Sequence, residues 1–241
     1  MSSNSERRLM VIGAHAADFV WRAGGVLALT AGRGGVATVL SLSYGERGES
    51  GELWKEEGQT IERVKEIRHG EAERAAAALG ADFACLDLGD YPLEIDRDAL
   101  GAISDRIREF APDVLITHTD TDPFNPDHPV AFHAVMRARG LAAGAGVASA
   151  FQTVKPPALF LFEPHQPELC NFTPTTFVDI TPVIDRKRAA MAEMKAQSYL
   201  QSYYGERADH RGNHARRSSG NAEIRQAEAF QRVTPQVMSS L

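Results

Sequence analysis

Two histidines and one aspartate have the side-chain types and spacing of a catalytic metal centre. His15 and Asp18 lie three positions apart, directly after the apolar run 9–13, and His128 ends a polar segment that follows another apolar run, 114–117. Imidazole nitrogen and carboxylate oxygen suit zinc, and three protein ligands leave a coordination position open for water or substrate. The pattern predicts one divalent ion per subunit, with zinc favoured, although iron, cobalt or manganese also accept such ligands.

Taken alone, this pattern has simpler explanations. A lone histidine is often a helix-start or core residue, and Asp18 could be the N-cap of the following helix. Other polar residues lie in equivalent places, because the segments 46–52 and 125–128 and the residue His165 each follow an apolar run. In an open α/β sheet the ligand crevice lies beyond the carboxyl ends of the strands, so we expect all of these residues to face one site.

The elements that must hold these residues are predicted from apolar runs and helical periodicity. Strands are predicted at 9–13, 36–42, 83–88, 114–117, 158–162 and 177–180. Helices are predicted at 20–31, 61–79, 100–110, 130–143, 183–199 and 222–230, with a long polar loop at 204–221. The alternation indicates an α/β fold, a Rossmann-like three-layer sandwich with a mostly parallel sheet. The length favours a single domain over 1–241.

The amino-acid composition argues against two classes of binding partner, nucleic acids and membranes. The net charge of -6 argues against nucleic acid, because nucleic-acid-binding domains usually carry a basic excess. No stretch approaches the roughly 20 apolar residues of a membrane span, and the polar start is unlike a signal peptide, so we expect no membrane partner and a cytoplasmic location. Cys85 and Cys170 are too few for a disulfide framework and are expected to be buried thiols. We also expect a homo-oligomer.

The same residues lie in three motifs of a known family. The motifs read Ala14-His15-Ala16-Ala17-Asp18-Phe19, Gly45-Glu46-Arg47-Gly48 and Pro126-Asp127-His128. On these residues the chain resembles the LmbE-like, or PIG-L, superfamily of zinc-dependent N-acetyl-sugar deacetylases, whose patterns are A-H-P-D-D-E, G-E-x-G and P-D-H. The resemblance implies the α/β fold of that family and a zinc ion bound by His15, Asp18 and His128.

Two positions depart from the family pattern at groups that perform deacetylation. The general base of the family, the first aspartate of A-H-P-D-D-E, is Ala17 here, and the histidine that often precedes P-D-H and steadies the tetrahedral intermediate is Asn125. A general base supplies about 10²-fold to 10⁴-fold in rate, so its absence corresponds to about 3 to 5 kcal/mol of barrier. The sequence therefore favours a different reaction.

Four longer segments carry a more specific resemblance, namely 15–25, 43–55, 162–165 and 227–236. On these segments the chain is similar to one branch of the superfamily, the 4-oxalomesaconate hydratases of gallate and protocatechuate breakdown. The resemblance implies that water adds to the conjugated C=C bond of a small polycarboxylate, 4-oxalomesaconate, and gives 4-carboxy-4-hydroxy-2-oxoadipate. A divalent ion suits such a reaction, because as a Lewis acid it stabilises the enolate that develops during addition.

Hydration also needs one group that activates water and one that protonates carbon. The candidates are Glu49, beyond the second strand, and His165, beyond the fifth, since histidine works in either direction at neutral pH. Glu46 or Glu52 could take the place of Glu49, and His165 could be a core histidine. For Glu46 a second role is expected, shared with Asp127: to orient the metal ligands without binding the ion.

A polycarboxylate substrate needs cationic anchors, and arginine suits carboxylates because its planar fork donates two parallel hydrogen bonds. The expected substrate-binding residues are Arg22, Arg47, Asn125, Arg211, Arg216 and Arg217. The last three belong to the predicted loop 204–221, which could line the site from its own subunit or a neighbouring one. The alternative for this loop is a solvated surface run.

Two other functions remain open from the sequence. One is an N-acetyl-sugar or amide deacetylase in which Glu49 or Asp127 has taken over as base. The other is a catalytically inactive family member that binds a sugar or an acid. Assays with 4-oxalomesaconate and with N-acetylglucosamine derivatives separate these functions from hydration.

Overall fold

Seven strands form one sheet within residues 7–238, which the computed structural model describes. They are β1 (Arg8–Gly13), β2 (Val36–Ser41), β3 (Asp82–Cys85), β4 (Val114–Thr117), β5 (Ala158–Phe162), β6 (Thr176–Asp179) and β7 (Ala227–Arg232). The apolar runs therefore predict the first six strands correctly, to within a few residues at each end.

Six α-helices lie in the same described range. They are α1 (Asp18–Gly32), α2 (Ile61–Leu79), α3 (Arg97–Phe110), α4 (Asp127–Ala143), α5 (Ile184–Glu193) and α6 (Leu200–Ser219). α1, α2 and α5 pack together on one face of the sheet, and α3 and α4 pack on the other. The fold is therefore a three-layer arrangement, as the sequence predicts.

The strand order is β3-β2-β1-β4-β5-β7-β6. The first five strands pair in parallel, whereas β7 runs antiparallel to both of its neighbours. The order reverses between β1 and β4, so the loops after these strands diverge and leave a crevice at their carboxyl ends. The expected Rossmann-like, mostly parallel sheet is confirmed.

The central strand β1 shows why its sequence is apolar throughout. Leu9 and Val11 point into the core shared with α1 and α2, whereas Met10 and Ile12 point into the core shared with α3 and α4. Both faces of the strand are covered by helices, so polar residues have no place on either face.

The last third of the chain differs from the sequence prediction. The stretch 204–221, expected to be a loop, lies almost wholly within α6. The stretch 222–230, expected to be a helix, contains most of β7, and the expected helix 183–199 is interrupted after α5 by a short 3₁₀ turn at Lys195–Gln197. Two secondary-structure predictions in this region are therefore wrong, and the third is correct only over α5.

α6 has no apolar stripe that its sequence could reveal. Its buried positions are Tyr204, Ala208, Gly212 and Ala215, which are mostly small. A Cβ atom at Gly212 would lie 1.8 Å from the carbonyl oxygen of Arg225, so the helix and the chain before β7 are in backbone contact there. Close approach, more than large apolar side chains, holds this helix in place.

Within residues 7–238 no helix combines the length and hydrophobicity that a membrane span needs. Of the two free cysteines, Cys170 is buried, as expected, but Cys85 is only partly buried. Burial raises the pKa of the Cys170 thiol to about 11 and that of Cys85 to about 12. Both thiols are therefore protonated at neutral pH.

Candidate metal centre and active site

The candidate site lies at the carboxyl ends of β1, β2 and β4. His15 lies in the turn after β1, Asp18 opens α1, Glu49 lies in the loop after β2, and His128 is in the first turn of α4. β2 and β4 are the two sheet neighbours of β1, so these loops are adjacent. His15, Asp18 and His128 are each at most 3% exposed. The structure thus brings the four side chains together.

His15 presents one nitrogen to the site and uses the other for support. Its Nε2 lies 3.2 Å from a carboxylate oxygen of Asp127, which also accepts the backbone N–H groups of Tyr91 and Leu93. Burial lowers the pKa of His15, but Asp127, Glu49 and Asp18 outweigh it and raise the pKa to about 9. The surroundings therefore favour a positive charge at this point.

His128 is held in the same manner. Its Nδ1 lies 2.7 Å from a carboxylate oxygen of Asp122, and its ring stacks on the ring of His118 with centroids 4.0 Å apart. Burial, reinforced by His118, lowers the pKa of His128 to about 3. The imidazole is therefore neutral at neutral pH, the form in which histidine binds a metal.

Asp18 lies between the two imidazoles. One of its oxygens accepts the backbone N–H of His15 at 2.8 Å, and the other accepts Arg22 at 2.5 Å. Burial alone would raise the pKa of Asp18, but His118 and Arg22 lower it well below its usual range. The N-cap of α1 is Ala17, so the aspartate is directed into the site and does not cap the helix.

The arrangement fits a divalent ion. Nδ1 of His15 and Nε2 of His128 are buried without a hydrogen-bond partner among the described residues. Nδ1 of His15 lies 3.7 Å from Oδ2 of Asp18, and Nε2 of His128 lies 3.7 Å from Oδ1. Among the described residues, the ligand atoms that lie within 4.8 Å of one another group His128 with His15 and Glu49, and separately with Asp18 and His118, so the predicted ligands fall into two overlapping groups. An unsatisfied buried polar group costs roughly 1–3 kcal/mol, which a shared ligand would remove. His118 is also near Asp18 and His128, but its Nε2 already accepts the backbone N–H of Ala14.

Glu49 faces the same point from the opposite loop. Its carboxylate lies 3.8 Å from Nδ1 of His15, and both of its oxygens accept amide N–H groups, from Asn125 at 2.7 Å and from Gln197 at 2.6 Å. Glu52, one of the two alternatives to Glu49, points to solvent and pairs with a surface lysine. Asn125, expected to bind substrate, instead supports Glu49.

The loop that carries Glu49 is fixed by its own backbone. Gly45 has a φ of +71°, and a Cβ atom there would lie 2.9 Å from the Cβ of Glu49. The carboxylate of Asp90 accepts the backbone N–H groups of Arg47 and Gly48 at 2.7–3.1 Å. The turn therefore requires a glycine at position 45, and the Asp90 carboxylate holds the loop through its backbone N–H groups.

Glu46 and Arg47 are directed away from the two free imidazole nitrogens. The Glu46 carboxylate is fully buried beside Arg47 and Lys65, and burial together with Asp90 raises its pKa. The Arg47 guanidinium bonds Glu46 and the backbone oxygen of Asp90. Neither contacts His15, Asp18 or His128 through a hydrogen bond, so the structure gives no sign that Glu46 orients a metal ligand.

His165 borders the site from the loop after β5 and is held by α6. Its ring stacks on Tyr203 with centroids 4.0 Å apart, and its backbone oxygen accepts the Tyr203 hydroxyl and the Arg207 guanidinium. Burial, followed by the charges of Arg22 and Arg207, lowers the pKa of His165. The imidazole is therefore largely neutral at neutral pH.

The arginines expected to bind substrate are placed differently from one another. Arg22 bonds Asp18 and keeps Nε without a partner among the described residues, so it can still donate. Arg211 is engaged by both carboxylate oxygens of Glu163, and Arg216 donates to the backbone oxygen of Ile224. Arg217 is exposed on the last turn of α6. Arg211 and Arg216 therefore join α6 to the segments that follow β5 and precede β7.

The sequence prediction missed several supporting residues. His118 and Asp122 lie in a segment that contains many potential metal ligands. The sequence does not show which of these residues bind the ion and which support the ligands. Gln197 lies in no motif, and Glu163 lies in the similar segment 162–165 without any sign of its role, since the partners of both residues are far away along the chain. Only the fold reveals such contacts.

A family model described as "PIG-L: GlcNAc-PI de-N-acetylase" matches residues 10–139, which include His15, Asp18, Glu49 and His128. The chain belongs to the PIG-L family. Residues 10–139 are more than half of the chain and run from β1 into α4. The PIG-L family is metal-dependent, in keeping with the two free imidazole nitrogens.

Two comparisons within the PIG-L family concern hydratases. The 4-oxalmesaconate hydratase of Pseudomonas putida KT2440 is 43% identical over 98% of this chain and 93% of its own. The crystal structure of GalB, the 4-carboxy-2-hydroxymuconate hydratase from P. putida KT2440, has a TM-score of 0.95 and covers 98% of this chain and 99% of that chain. The resemblance to the hydratase branch is confirmed.

A third comparison gives the fold of the PIG-L family more broadly. The N,N'-diacetylchitobiose deacetylase from Pyrococcus horikoshii has a TM-score of 0.75 at 17% identity, covering 94% of this chain and 84% of that chain. The two proteins therefore share an architecture, while most of their side chains differ.

Proposed function

We propose that this member of the PIG-L family is a metal-dependent hydratase that adds water to the conjugated C=C bond of 4-oxalomesaconate and forms 4-carboxy-4-hydroxy-2-oxoadipate. One observation carries the proposal: the carboxylate beside the candidate metal centre comes from Glu49, at 3.8 Å from His15, whereas the family's base position is the buried Ala17. The identity to a protein named for this substrate supports the same chemistry. The names of the two relatives denote keto and enol tautomers of one tricarboxylate.

His15, Asp18 and His128 would hold the ion, and their two nitrogens and one carboxylate suit zinc. When bound, a divalent ion supplies Lewis-acid stabilisation of the negative charge that develops on a substrate oxygen. Asp127 and Asp122 hold the two imidazole rings from behind, so that each ring directs its free nitrogen toward the site.

Glu49 is the proposed proton acceptor. Two amide N–H groups, from Asn125 and Gln197, donate to its oxygens, and neither amide offers an acceptor in return. Both carboxylate oxygens keep lone pairs beyond these two bonds, so Glu49 can accept a third hydrogen bond from water. As the water oxygen bonds to one carbon of the double bond, its proton passes to Glu49.

His165 is the proposed proton donor. It completes the addition by giving a proton to the neighbouring carbon, and the proton held by Glu49 returns through solvent. Burial and the nearby arginines lower its pKa, so that its imidazolium form is a stronger acid than that of a solvated histidine but is a minor fraction at neutral pH. Arg22, with its free Nε, is the proposed anchor for a substrate carboxylate. A homo-oligomeric assembly and a cytoplasmic location stay predictions.

The proposal is tested with purified protein, zinc and 4-oxalomesaconate, by following the loss of the conjugated absorbance. Glu49→Gln should lower kcat by about 10²-fold to 10⁴-fold, because it removes the proton acceptor. The matched control is Glu52→Gln, whose carboxylate lies at the surface three residues away and should leave the rate near that of the wild type.

Metal analysis completes this experiment. Both variants should retain the metal content of the wild type, since neither removes a proposed ligand. Acetate release from N-acetylglucosamine derivatives without hydration would replace the proposal with a deacetylase. Ligand binding with neither activity would indicate an inactive homologue.

A further inference from the structure

A buried glutamine lies behind the Glu49 carboxylate. Gln197 belongs to the 3₁₀ turn between α5 and α6 and is 1% exposed. Its Nε2 donates to Oε2 of Glu49 at 2.6 Å, across 148 positions of sequence. No family motif includes this residue. Its contact with the site comes entirely from the fold.

Arg68 determines which way the Gln197 amide points. Its guanidinium is fully buried and donates to Oε1 of Gln197 at 3.0 Å. An arginine can only donate hydrogen bonds, so the amide oxygen must face Arg68 and the amide NH₂ must face Glu49. Arg68 also bonds Glu71, which accepts the backbone N–H of Ala196 and so fixes the turn that carries Gln197.

A second amide acts from the other side of Glu49. Nδ2 of Asn125 donates to Oε1 of Glu49, and Oδ1 of Asn125 accepts the backbone N–H of Asp127 at 3.1 Å. The orientation of this amide is therefore fixed as well. The Glu49 carboxylate is held by one amide on each oxygen, and its position does not depend on the ion.

Glu49 lies close enough to the candidate metal site to bind the ion, so the two amides that hold its carboxylate affect which role it takes. One oxygen of Glu49 and one nitrogen each of His15 and His128 lie within 4.8 Å of one another, which is close enough for all three to bind one ion. Glu49 is not among the family ligands, and as a ligand it would occupy the coordination position that substrate needs. It could then no longer accept a proton from water.

We propose that Gln197, oriented by Arg68, is a positioning residue that holds Glu49 beside the ion and out of its coordination. The inference rests on the proposed function, because it takes Glu49 as the proton acceptor. Without the Gln197 amide, the carboxylate moves toward the ion, so turnover falls while the ion is held more tightly. A residue with a purely structural role would weaken metal binding and turnover together.

The decisive variant is Gln197→Met, with Gln201→Met in the first turn of α6 as the matched control. We expect Gln197→Met to lower kcat by about 10-fold to 100-fold, as loss of a partner one step from a metal site usually does. KM should change little, and the Kd for zinc, measured by competition with a chelator, should decrease. Gln201→Met should match the wild type in all three quantities.

A double-variant cycle shows whether Gln197 acts through Glu49. In a Glu49→Gln background, Gln197→Met should cause no further loss of kcat and no tighter zinc binding. If Gln197→Met folds poorly, Gln197→Glu replaces it: the new carboxylate keeps the bond to Arg68 but repels Glu49, and the same decrease in kcat and in the Kd for zinc is expected.

Three outcomes overturn the inference: a kcat for Gln197→Met close to that of the wild type, a weaker hold on zinc in this variant, or a further loss in the Glu49→Gln background. Each differs from failure of the proposed function. In that case the wild-type protein itself would not hydrate 4-oxalomesaconate, whereas the zinc measurements would still report on Gln197.

Discussion

The candidate metal centre and the ion pair between Lys187 of α5 and Glu228 of β7 are both buried, yet their polar atoms are satisfied in different ways. The Glu228 carboxylate accepts Lys187 at 2.6 Å and the backbone N–H groups of Gly25 and Val26 at 2.7 and 2.9 Å. Lys187 also donates to the backbone oxygen of Trp21. This pair ties α5 and β7 to the backbone of α1.

The candidate metal centre, in contrast, contains buried polar atoms without hydrogen-bond partners in the described part of the chain. Two imidazole nitrogens, on His15 and His128, have no partner within residues 7–238, and the carboxylates around His15 favour a positive charge. Burying polar groups without partners is unfavourable, and one shared ligand would remove that cost at both nitrogens. The two clusters therefore differ in that the ion pair satisfies its own polar atoms, whereas the candidate metal centre leaves two neighbouring nitrogens free for a ligand.

Removing one of the two free imidazole nitrogens should have the largest effect on metal binding and catalysis. His128→Ala should abolish tight zinc binding and lower kcat/KM by about 10⁴-fold, or about 5 kcal/mol of transition-state stabilisation. The metal-free protein should also lose some stability, because the substitution removes a buried ring that stacks on His118 and leaves the Asp122 carboxylate without its partner, so metal content is the deciding measurement. Metal content, kcat/KM and urea unfolding without metal measure these effects, and His133→Ala, on the exposed side of α4, is the control. Full metal content in His128→Ala would contradict the assignment.

The structural ion pair should give the opposite result. Lys187→Met leaves Glu228 as an uncompensated buried charge, so the free energy of unfolding should decrease by about 3 to 5 kcal/mol. The folded fraction should bind zinc normally. The control is the double variant Lys187→Met with Glu228→Gln, which removes the charge, keeps an acceptor for α1 and should recover much of the stability. Urea unfolding tests both, and equal stability of Lys187→Met and wild type would show that the pair is dispensable.

A smaller effect sharpens the comparison at the edge of the metal centre. Asp122→Ala removes the carboxylate that orients His128 but no proposed ligand, so zinc affinity should fall by about 10-fold to 100-fold. Chelator competition measures this loss, and the exposed neighbour Asp120→Ala is the control. An unchanged affinity would mean that packing against His118 suffices to hold the ring.

The sequence predicts β1 to β5 and the helices between them, because their apolar residues recur at the spacing that a strand or a helix requires. Strands β1 to β5 are apolar because helices cover both of their faces, and the helices between them have a regular apolar period. His15, Asp18, Glu49 and His128 each follow one of these strands, so their meeting could be predicted from strand order alone.

The last third of the chain could not be predicted in this way. α6 buries small residues such as Ala208 and Gly212, which a search for apolar period overlooks. β7 begins Ala227-Glu228-Ala229, a composition that favours a helix, but pairing with two strands outweighs that preference. Glu228 is buried in the strand only because Lys187 is present to meet it. Contacts such as those of Gln197 depend on these same long-range arrangements.

The position of β7 affects how the protein can fold while it is being synthesised on the ribosome. β7 is the last strand within residues 7–238, yet it lies between β5 and β6, and β6 has no other neighbour in the sheet that these residues form. Until residue 232 has emerged, a nascent chain can assemble the five parallel strands but leaves the outer edge of β5 open, and an open edge invites pairing with other chains. Any tag or truncation that delays this final closure should therefore reduce the yield of soluble protein before it alters the finished enzyme.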